Sequence, residues 1–511
     1  MSSTTEYENV GKMTFVPKGY VDRGEGWFYR MAGLRLTEAP EPYETYKRTI
    51  SEFAGYHLFD KVHVIMLIEE RIIPKEIGLQ ILKTFRMMER EGLDKARSEA
   101  GGLAHSGEAY LIQRLGWHVG GWLHEGRSSH DLAITQNRVM QRGALLDVMH
   151  GVNNLRETLL DLSEQHLDTV MPYYTALQHA RPMTLGFFLT SFVKMLERDS
   201  ERLELCYRHT NVSPMGSAEG TGSDFPLNPG TTAELAGFDD VFDNACDVWE
   251  SYDIRAEAFA ALGTVNDIVA RIAGHLYLWC SEEFRMAELA DRYCHTSSIM
   301  SQKKNPGGVE ALQRTAAAAK NLVLMDEGSR LTAGGGNDHY FDEAVRLTMN
   351  NIMYLRGILR TTTFKKKRMR ELCDYGFICN SDLCRILVQK NGLPWRTAHQ
   401  IMAVMTRLAK SEGMEMADVT PEFLDRAAME CIYYGKPLGL NMETIREAFD
   451  PDRSVRSLNS HGSTAKDRVK EQIARSRDRL RRDRMNVGSK RERLTAAADK
   501  MEKKIDGLIG L

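Results

Sequence analysis

The sequence has few features of secreted, membrane-embedded or nucleic-acid-binding proteins. Its eight cysteines are scattered between positions 206 and 431. None forms a C-x-x-C pair or a Cys/His cluster with zinc-site spacing, so we expect reduced thiols in a cytoplasmic protein. The N-terminus has no basic region followed by an apolar run, and no stretch of about eighteen apolar residues occurs, so neither a signal peptide nor a transmembrane helix is predicted. The formal net charge of −3 gives no general attraction to nucleic acids or membranes.

Proline is scarce as well, and the gaps between prolines point to the fold class. The chain has 14 prolines, and none lies between Pro74 and Pro172 or between Pro229 and Pro306. Because proline inside a helix costs about 3 kcal/mol, these gaps permit long helices. Within the first gap, apolar residues recur every three or four positions: Leu145, Met149, Val152, Leu155, Leu159 and Leu162. This periodicity is typical of a helix packed almost parallel to its neighbours, and few segments alternate with period two, so we predict an all-α fold.

The distribution of helical patterns and charges divides the chain into three predicted domains and a tail. The tail begins near Lys466 and is dense in lysine and arginine, but Asp478 and Asp483 interrupt it. Mixed charge of this kind is typical of a solvated helix and not of an arm that binds nucleic acid. The predicted units are an N-terminal helical domain with an irregular arm up to Leu34 (residues 1–125), a central bundle of long helices (126–375), a smaller helical domain (376–485) and the charged helical tail (486–511).

The most informative segment runs from Thr296 to Pro306 and reads T-S-S-I-M-S-Q-K-K-N-P. It is rich in hydroxyl groups, is followed by two glycines, and is a poor candidate for either a helix start or a strand. Such a segment is typical of a mobile loop that closes over an anion, with Ser297 and Ser298 at its tip. The alternative, from the residues alone, is that the two serines cap a helix.

This segment resembles the signature loop of the fumarase/aspartase superfamily, G-S-S-x-M-P-x-K-x-N-P. Thr296 and Ser301 replace the glycine and the first proline, whereas the other marked positions agree. The sequence Q-K-K-N-P within this segment is most similar to that of argininosuccinate lyases. Members of the superfamily are homotetramers with a 20-helix core, and three chains contribute to each active site. The resemblance implies the same assembly here.

The resemblance also implies roles for individual residues of the loop. Ser297 corresponds to the general base that removes the proton next to a substrate carboxylate. Lys303 and Asn305 correspond to the groups that bind this carboxylate as negative charge develops on it. Ser298 and Met300 are expected to contribute to substrate binding. Fixed donors around a developing charge usually make the largest catalytic contribution.

A second segment, from His124 to Asp131, reads H-E-G-R-S-S-H-D. Hydroxyl residues at a turn that enters a helix can form an anion site, because free N–H groups and the helix dipole face it. The alternative is an ordinary helix cap. The segment is similar to G-R-S-R-N-D of argininosuccinate lyases, with Ser129 and His130 in place of the expected arginine and asparagine. The resemblance places Ser128 and Ser129 at a substrate carboxylate.

A third segment, within residues 171–186, reads Y-T-A-L-Q-H-A-R-P and resembles the superfamily pattern Y-T-H-L-Q-x-A-x-P. Thr175 and Gln178 agree and are expected to bind substrate, but Ala176 replaces the histidine. The 3-carboxymuconate cycloisomerase branch also lacks this histidine and carries L-Q-H-A. His179 is therefore a candidate, beside His130 and water, for the acid that protonates the leaving nitrogen. The alternative is a histidine whose hydrogen bonds are satisfied inside the bundle.

The resemblance extends from about Glu108 to Val469, with one departure that concerns the substrate. Segment 214–222 is similar to a G-x-x-x-G-T-G loop, and segment 462–465 to a G-G-T-A motif near the C-terminus of argininosuccinate lyases. At 331–340, those lyases carry an acidic stretch, Y-N-x-D-x-Q-E-D-K, that binds the arginine half of the substrate. This chain has L-T-A-G-G-G-N-D-H-Y there, so an arginine pocket is not expected.

The implied function is that of a carbon–nitrogen lyase. The enzyme would cleave an N-substituted aspartate other than argininosuccinate by anti β-elimination, releasing fumarate and an amine, or would run in reverse. We expect a small dicarboxylate as its partner, and no metal, organic cofactor, nucleic acid or membrane. Three alternatives stay open: a 3-carboxymuconate-type cycloisomerase that forms a lactone, an ordinary argininosuccinate lyase, and a scaffold that has lost its chemistry, as related lens crystallins have. The intact Ser297, Lys303 and Asn305 argue against the last.

Overall fold

The structure is a computed structural model that describes residues 46–47, 50–297, 299–300, 302–329 and 338–510. The described chain is predominantly helical, which confirms the predicted fold class. None of its described helices is long and apolar enough to cross a membrane. The predicted irregular arm up to Leu34 lies outside the described residues. So do positions 331–337 of the segment where argininosuccinate lyases carry an acidic stretch.

The helices vary in length from one turn to twelve turns, and the longest form the centre of the molecule. In chain order they are α1 (Ala54–Glu69), α2 (Lys75–Glu91), α3 (Leu93–Glu99), α4 (Ser106–Leu115), α5 (Trp117–Gly120), α6 (Ser129–Gln165), α7 (Leu185–Thr210), α8 (Pro229–Ala236), α9 (Ala245–Glu250), α10 (Tyr252–Trp279), α11 (Gly307–Ser329), α12 (Asp338–Thr361), α13 (Lys366–Glu371), α14 (Asn380–Asn391), α15 (Trp395–Ser411), α16 (Pro421–Glu430), α17 (Met442–Ala448), α18 (Pro451–Ser457) and α19 (Lys466–Ile509).

Short strands occur only where the chain turns between helices of the described part. They pair as β1 (Val170–Thr175) with β2 (Gln178–Thr184), β3 (Val212–Ser213) with β4 (Asp240–Val241), β5 (Ala287–Glu288) with β8 (Thr363–Phe364), and β6 (His295–Thr296) with β7 (Lys304–Asn305). The first and last of these pairs carry two of the three segments identified in the sequence.

Helix α6 organises the central bundle. It has 37 residues and is therefore about 55 Å long at 1.5 Å per residue. Its predicted apolar seam, from Leu145 to Leu162, is buried against α7, α12 and α19. Helices α10 and α12 are also joined by polar contacts inside the bundle, where Asn266 Nδ2 donates to Thr348 Oγ1 (2.8 Å) and its Oδ1 accepts from Asn351 (2.9 Å).

Three groups of buried apolar side chains fill the described structure. One includes Phe59, Ile65 and Phe85 of α1 and α2, together with Met501 from the far end of α19. The largest occupies the long-helix bundle. The third lies among α14 to α18. The domain boundaries themselves stay a prediction.

Helix α19 has 44 residues and contains nearly all of the predicted charged tail. It continues without a break through the boundary predicted between residues 485 and 486. One face of this helix packs against α6, α7, α8 and α2 instead of facing solvent. Its ion pairs explain this packing. Arg491 binds Asp147 (2.6 Å), and the fully buried Arg156 binds Asp483 (2.5 Å). Basic and acidic residues of the helix thus meet oppositely charged partners on the bundle.

Candidate active site

The segment that precedes α6 folds as a helix cap. The Oγ of Ser128 accepts the N–H of His130 (3.4 Å), and Asp131 Oδ1 accepts the N–H of Ser128 (3.1 Å). This reciprocal arrangement is a capping box, which satisfies backbone donors that a helix start leaves free. Ser129, the first residue of the helix, is exposed. Its hydroxyl therefore lies at the positive end of a long helix dipole, where an anion is favoured.

Asp131 connects the start of α6 to the glycine-rich loop at 214–222. Its carboxylate is completely buried, and its second oxygen accepts the N–H of Gly216 (3.4 Å). Burial raises the pKa of the Asp131 carboxyl to about 6, against the smaller opposing effects of the backbone donors and of Arg127. The loop therefore has a structural connection to the N-terminal end of the helix.

His130 lies beside this cap and against an aromatic ring. The centroids of His130 and Trp249 are 4.2 Å apart. The Nδ1 atom of His130 is buried and makes no hydrogen bond with the described residues. One face of the imidazole is thus fixed by packing, and a ring nitrogen remains without a partner in the described chain.

Arg127 anchors the segment in the N-terminal apolar core. It is buried and forms an ion pair with the buried Asp60, which Arg97 also binds. Burial by itself would raise the pKa of the Asp60 carboxyl, but the two guanidinium groups lower it below its ordinary value. Arg127 also lines a cleft of about 750 Å³, which lies between residues 124–127 and the loop at 218–225. The cap at Ser128 follows directly after this cleft.

The third segment forms an antiparallel hairpin, β1–β2, which the sequence analysis did not predict. Thr175 pairs with Gln178, and the two residues between them, Ala176 and Leu177, have φ angles of 49° and 59°. Two successive positive φ angles are typical of the tight turns that join twisted strands. All four residues are exposed at the hairpin tip in the single chain. Thr175 and Gln178 are therefore accessible.

His179 stands next to this tip, and both of its ring nitrogens have partners. Its Nδ1 lies 3.2 Å from the carbonyl oxygen of Tyr375, and its Nε2 lies 3.2 Å from the hydroxyl of Tyr174. Because a carbonyl only accepts, Nδ1 carries the hydrogen and Nε2 accepts from the tyrosine in a neutral ring. Burial raises the pKa of Tyr174 to about 12. His179 thus connects the hairpin to the start of the C-terminal helices.

The signature loop joins β6 to β7, so the expectation of an irregular segment is wrong at its two ends, where Thr296 and Lys304–Asn305 form short strands. At the loop start, Ser297 Oγ accepts the N–H groups of Ile299 (3.3 Å) and Met300 (3.1 Å). A serine side chain often forms such a turn with the backbone that follows it. Ile299 and Met300 are exposed. Ser298 lies outside the described residues.

The two adjacent lysines of this loop have different surroundings. Lys304 Nζ binds Asp291 (2.7 Å) and Glu288 (3.1 Å). Lys303 is exposed and has no ion pair with a described residue. Asn305 Nδ2 lies 3.2 Å from a ring nitrogen of His295 on the paired strand, which orients the amide. The positive charge of Lys303 is therefore available to an anion.

The long helices separate these segments in one chain. Ser129 begins α6, and β1 follows its other end, so the helix places Ser129 roughly 50 Å from β1. Tyr174 of β1 contacts Phe284, which follows α10. Gln313, near the start of α11, approaches Gly274, near the end of α10. The signature loop, which directly precedes α11, therefore lies toward the β1 end of the bundle and away from Ser129.

Comparisons with known proteins agree with these motifs. The family model described as "Lyase" matches residues 80–320, and the one described as "Argininosuccinate lyase C-terminal" matches residues 377–456. The argininosuccinate lyase of Methanocaldococcus jannaschii is 31% identical over 447 residues, which cover 86% of this chain and 90% of the relative. The argininosuccinate lyase of Methanococcoides burtonii is 32% identical over 433 residues, which cover 83% and 86%.

Two solved structures resemble this fold to different degrees. The crystal structure of EDDS lyase in complex with formate has a TM-score of 0.86 and 27% identity, and the match covers 93% of this chain and 97% of that one. The 3-carboxy-cis,cis-muconate lactonizing enzyme from Pseudomonas putida has a TM-score of 0.61 and 17% identity, with coverage of 84% and 94%. The second likeness concerns the fold alone.

The fold and the three motif-bearing segments define a lyase with the helical architecture of the fumarate-processing enzymes. More specifically, the chain belongs to the fumarase/aspartase superfamily, in its argininosuccinate lyase-like group. It is accordingly a carbon–nitrogen lyase. This confirms the family that the signature loop predicted.

Proposed function

We propose that the enzyme cleaves the carbon–nitrogen bond of an N-substituted aspartate by anti β-elimination, releasing fumarate and an amine, or that it adds an amine to fumarate. We further propose that argininosuccinate is not its substrate. The elimination chemistry is supported by the geometry of the signature loop, where Ser297 accepts two backbone N–H groups and Lys303 has no ion pair with a described residue.

Ser297 is the proposed general base. Removing a proton requires negative charge on its Oγ, and the N–H groups of Ile299 and Met300 already point at that atom. Donors that are in place before the charge develops need no reorganisation during the reaction. The turn at Ser297 therefore favours the charged form of the base.

Lys303 and Asn305 are the proposed ligands of the carboxylate next to the reacting carbon. When the proton leaves, this carboxylate takes up a second negative charge, and each fixed donor stabilises it by about 3 kcal/mol. Lys303 supplies a charge that no described acid neutralises. We propose that Ser298 and Met300 also bind substrate, and that Ser128, Ser129, Thr175 and Gln178 form the remainder of the substrate site.

The leaving nitrogen needs a proton, for which we propose His130. Its Nδ1 has no hydrogen-bond partner among the described residues, and it follows the proposed carboxylate ligands Ser128 and Ser129. His179 is the second candidate, but Tyr174 and the carbonyl of Tyr375 occupy both of its nitrogens. An acid that must first break such a contact is less suited to proton transfer.

A tetramer with sites shared among three chains is part of the proposal. The length of α6 separates Ser129 from Thr175 within one chain, and the superfamily resemblance implies that neighbouring chains close this gap. Tyr277 and Leu278 on α10 and Leu324 and Met325 on α11 are large apolar residues that a single chain leaves exposed. Their burial between subunits would remove this apolar surface from water.

The choice of substrate rests on departures from the argininosuccinate lyase pattern. Ser129 and His130 stand where that pattern has arginine and asparagine, and 331–340 lacks its acidic stretch. The structural neighbour EDDS lyase, a variant of which was solved with bound fumarate, supports a fumarate-forming reaction and leaves the amine to the test below. The competing hypothesis is ordinary argininosuccinate cleavage, which is supported by the similarity to two argininosuccinate lyases. Ala176 and His179 favour a cycloisomerase as a further candidate.

Mass spectrometry of the purified protein, incubated with fumarate and a pooled set of amines, amino acids and diamines, tests the proposal. We expect a product with the summed mass of fumarate and one amine. Ser297→Ala should remove it, because a positioned base contributes about a hundredfold or more. Ser411→Ala, a matched change in α15, should retain it.

Three results would contradict the proposal in different ways. Retention of more than a tenth of the turnover by Ser297→Ala rejects the assigned base. Rapid cleavage of argininosuccinate, with no other adduct formed, identifies an ordinary argininosuccinate lyase. A lactone from 3-carboxymuconate, without fumarate adducts, identifies the cycloisomerase.

A further inference from the structure

Two histidines and a glutamate converge beside the cleft that precedes α6. His105 directly precedes α4, Glu108 lies in the first turn of α4, and His124 ends the 3₁₀ helix Gly121–His124. Their ligand atoms all lie within 4.8 Å of one another. The Nδ1 atoms of His105 and His124 lie 3.4 Å and 2.8 Å from Glu108 Oε2.

The hydrogen bonds of this group are incomplete. His105 Nδ1 is buried and makes no hydrogen bond with a described residue, although it faces the glutamate. A buried polar atom without a hydrogen bond costs stability unless it has another partner. In a tetrahedral zinc site with metal–ligand distances near 2.1 Å, neighbouring ligand atoms are about 3.4 Å apart. The separation between His105 and Glu108 matches this value, whereas that between His124 and Glu108 needs to widen by about 0.6 Å.

We propose that His105, Glu108 and His124 bind one divalent transition-metal ion of the zinc class. Two imidazole nitrogens and one carboxylate oxygen are ligands that such ions prefer, and three protein ligands leave a position for water. This site does not depend on the proposed function. It would clamp the start of α4 to the turn before α6.

The surroundings hold the three ligands in place. Gly107 packs so closely on Asp60 and Arg97 that a methyl group there would overlap the Asp60 carboxylate, which fixes the first turn of α4. Glu108 is mostly buried, and its charge favours a cation. The nearby Arg127 opposes a cation, but its guanidinium is paired with Asp60. His124 also lines the cleft, so an ion can reach the site from solvent.

The test is metal binding by the full-length protein after treatment with a chelator. Zn²⁺ is titrated in competition with a chromophoric chelator, and Co²⁺ binding is followed by its visible absorption, which reports tetrahedral coordination. We expect one equivalent of either ion per chain. His124→Ala and Glu108→Gln should weaken binding at least tenfold, an effect on the order of that seen when a metal site loses supporting groups. His118→Ala, an exposed histidine of α5, should bind as the wild type does.

Glu108→Gln preserves the size of the side chain, so it carries the test if His124→Ala does not fold, as judged by circular dichroism. Two results overturn the inference. One is the absence of saturable Zn²⁺ and Co²⁺ binding to the wild type. The other is undiminished binding in both His124→Ala and Glu108→Gln, which would assign the ion to other surface groups.

Discussion

Lys303 and Lys304 are adjacent in the chain, but among the described residues acidic partners bind Lys304 alone, Asp291 at 2.7 Å and Glu288 at 3.1 Å. This difference separates a structural role from a functional one. Lys304 joins the β6–β7 hairpin to the chain before it, whereas Lys303 offers a positive charge that no acid of the described chain pairs with.

We therefore expect Lys303→Ala to affect mainly activity and Lys304→Ala to affect mainly stability. Lys303→Ala should lower kcat/KM by about a hundredfold, because it removes a donor worth about 3 kcal/mol to the developing negative charge. Lys304→Ala should keep most of the activity and lose about 1 kcal/mol of stability, as for a partly exposed ion pair. Steady-state kinetics and thermal unfolding distinguish the two. Equal losses of activity in both variants would remove Lys303 from its proposed role.

Substitutions of the two candidate acids should have different effects, on turnover for His130 and on stability for His179. His130→Ala should reduce turnover by about a hundredfold, the lower range for a positioned acid. His179→Ala should act mainly on stability, by about 1 to 2 kcal/mol, because it removes the contacts that join Tyr174 to the carbonyl of Tyr375. Turnover measured with the amine identified by mass spectrometry, together with melting temperatures, decides the matter. Normal turnover in His130→Ala would move the acid to His179 or to water.

The buried carboxyl of Asp131 should make stability depend on pH. Burial raises its pKa to about 6 from an ordinary 3.8, so the folded state binds this proton more tightly than the unfolded chain. Its contribution is fully present below pH 4 and is lost as the pH rises through 6. The gap between the two pKa values corresponds to roughly 3 kcal/mol.

The measurement is the free energy of unfolding between pH 4 and pH 7. Asp131→Asn cannot titrate, so its unfolding free energy should lack the decline that the wild type shows in this window. Asp425→Asn is a suitable control, because Asp425 also accepts two backbone N–H groups but is partly exposed. A wild-type profile that rises across this window would contradict the expected sign.

Two aspartates of α19, five positions apart, should differ in their contribution to stability. Asp483 binds Arg156, which is completely buried, so Asp483→Ala leaves a buried charge with only part of its partners. We expect a loss of about 3 kcal/mol. Asp478 forms an exposed pair with Arg481, and Asp478→Ala should cost less than about 1 kcal/mol. Chemical denaturation of both variants gives the comparison, and equal losses would show that Arg156 finds another partner.

The helical fold was predictable because its signals are local and repeated. The seam from Leu145 to Leu162 and the lack of proline describe α6 directly. The β1–β2 hairpin was missed because its turn, Ala176–Leu177, has none of the glycine or asparagine that usually marks positive φ angles. The packing of α19 was missed for another reason. A helix with mixed charge looks solvated until its oppositely charged partners on other helices are known.

The candidate site was predictable residue by residue but not as an arrangement. The capping box at Ser128 and Asp131 has a local sequence signature, S-x-x-D, and forms as this signature indicates. The contact of His130 with Trp249 joins positions far apart in the chain, and no periodic pattern encodes it. The group of His105, Glu108 and His124 was overlooked for a similar reason, since spacing rules for cysteine and histidine do not consider a glutamate one turn away.

The uninterrupted course of α19 has a consequence for how this chain can change. Near its start, Lys466 binds Asp168 beside the β1–β2 hairpin, and near its end Arg86 of α2 binds Asp506. Adding or deleting one residue in the middle would turn everything beyond it by about 100°. Every downstream partner would then face the wrong neighbour. A point substitution in this helix affects one contact, whereas a change in its length would misplace every contact on one side of the change.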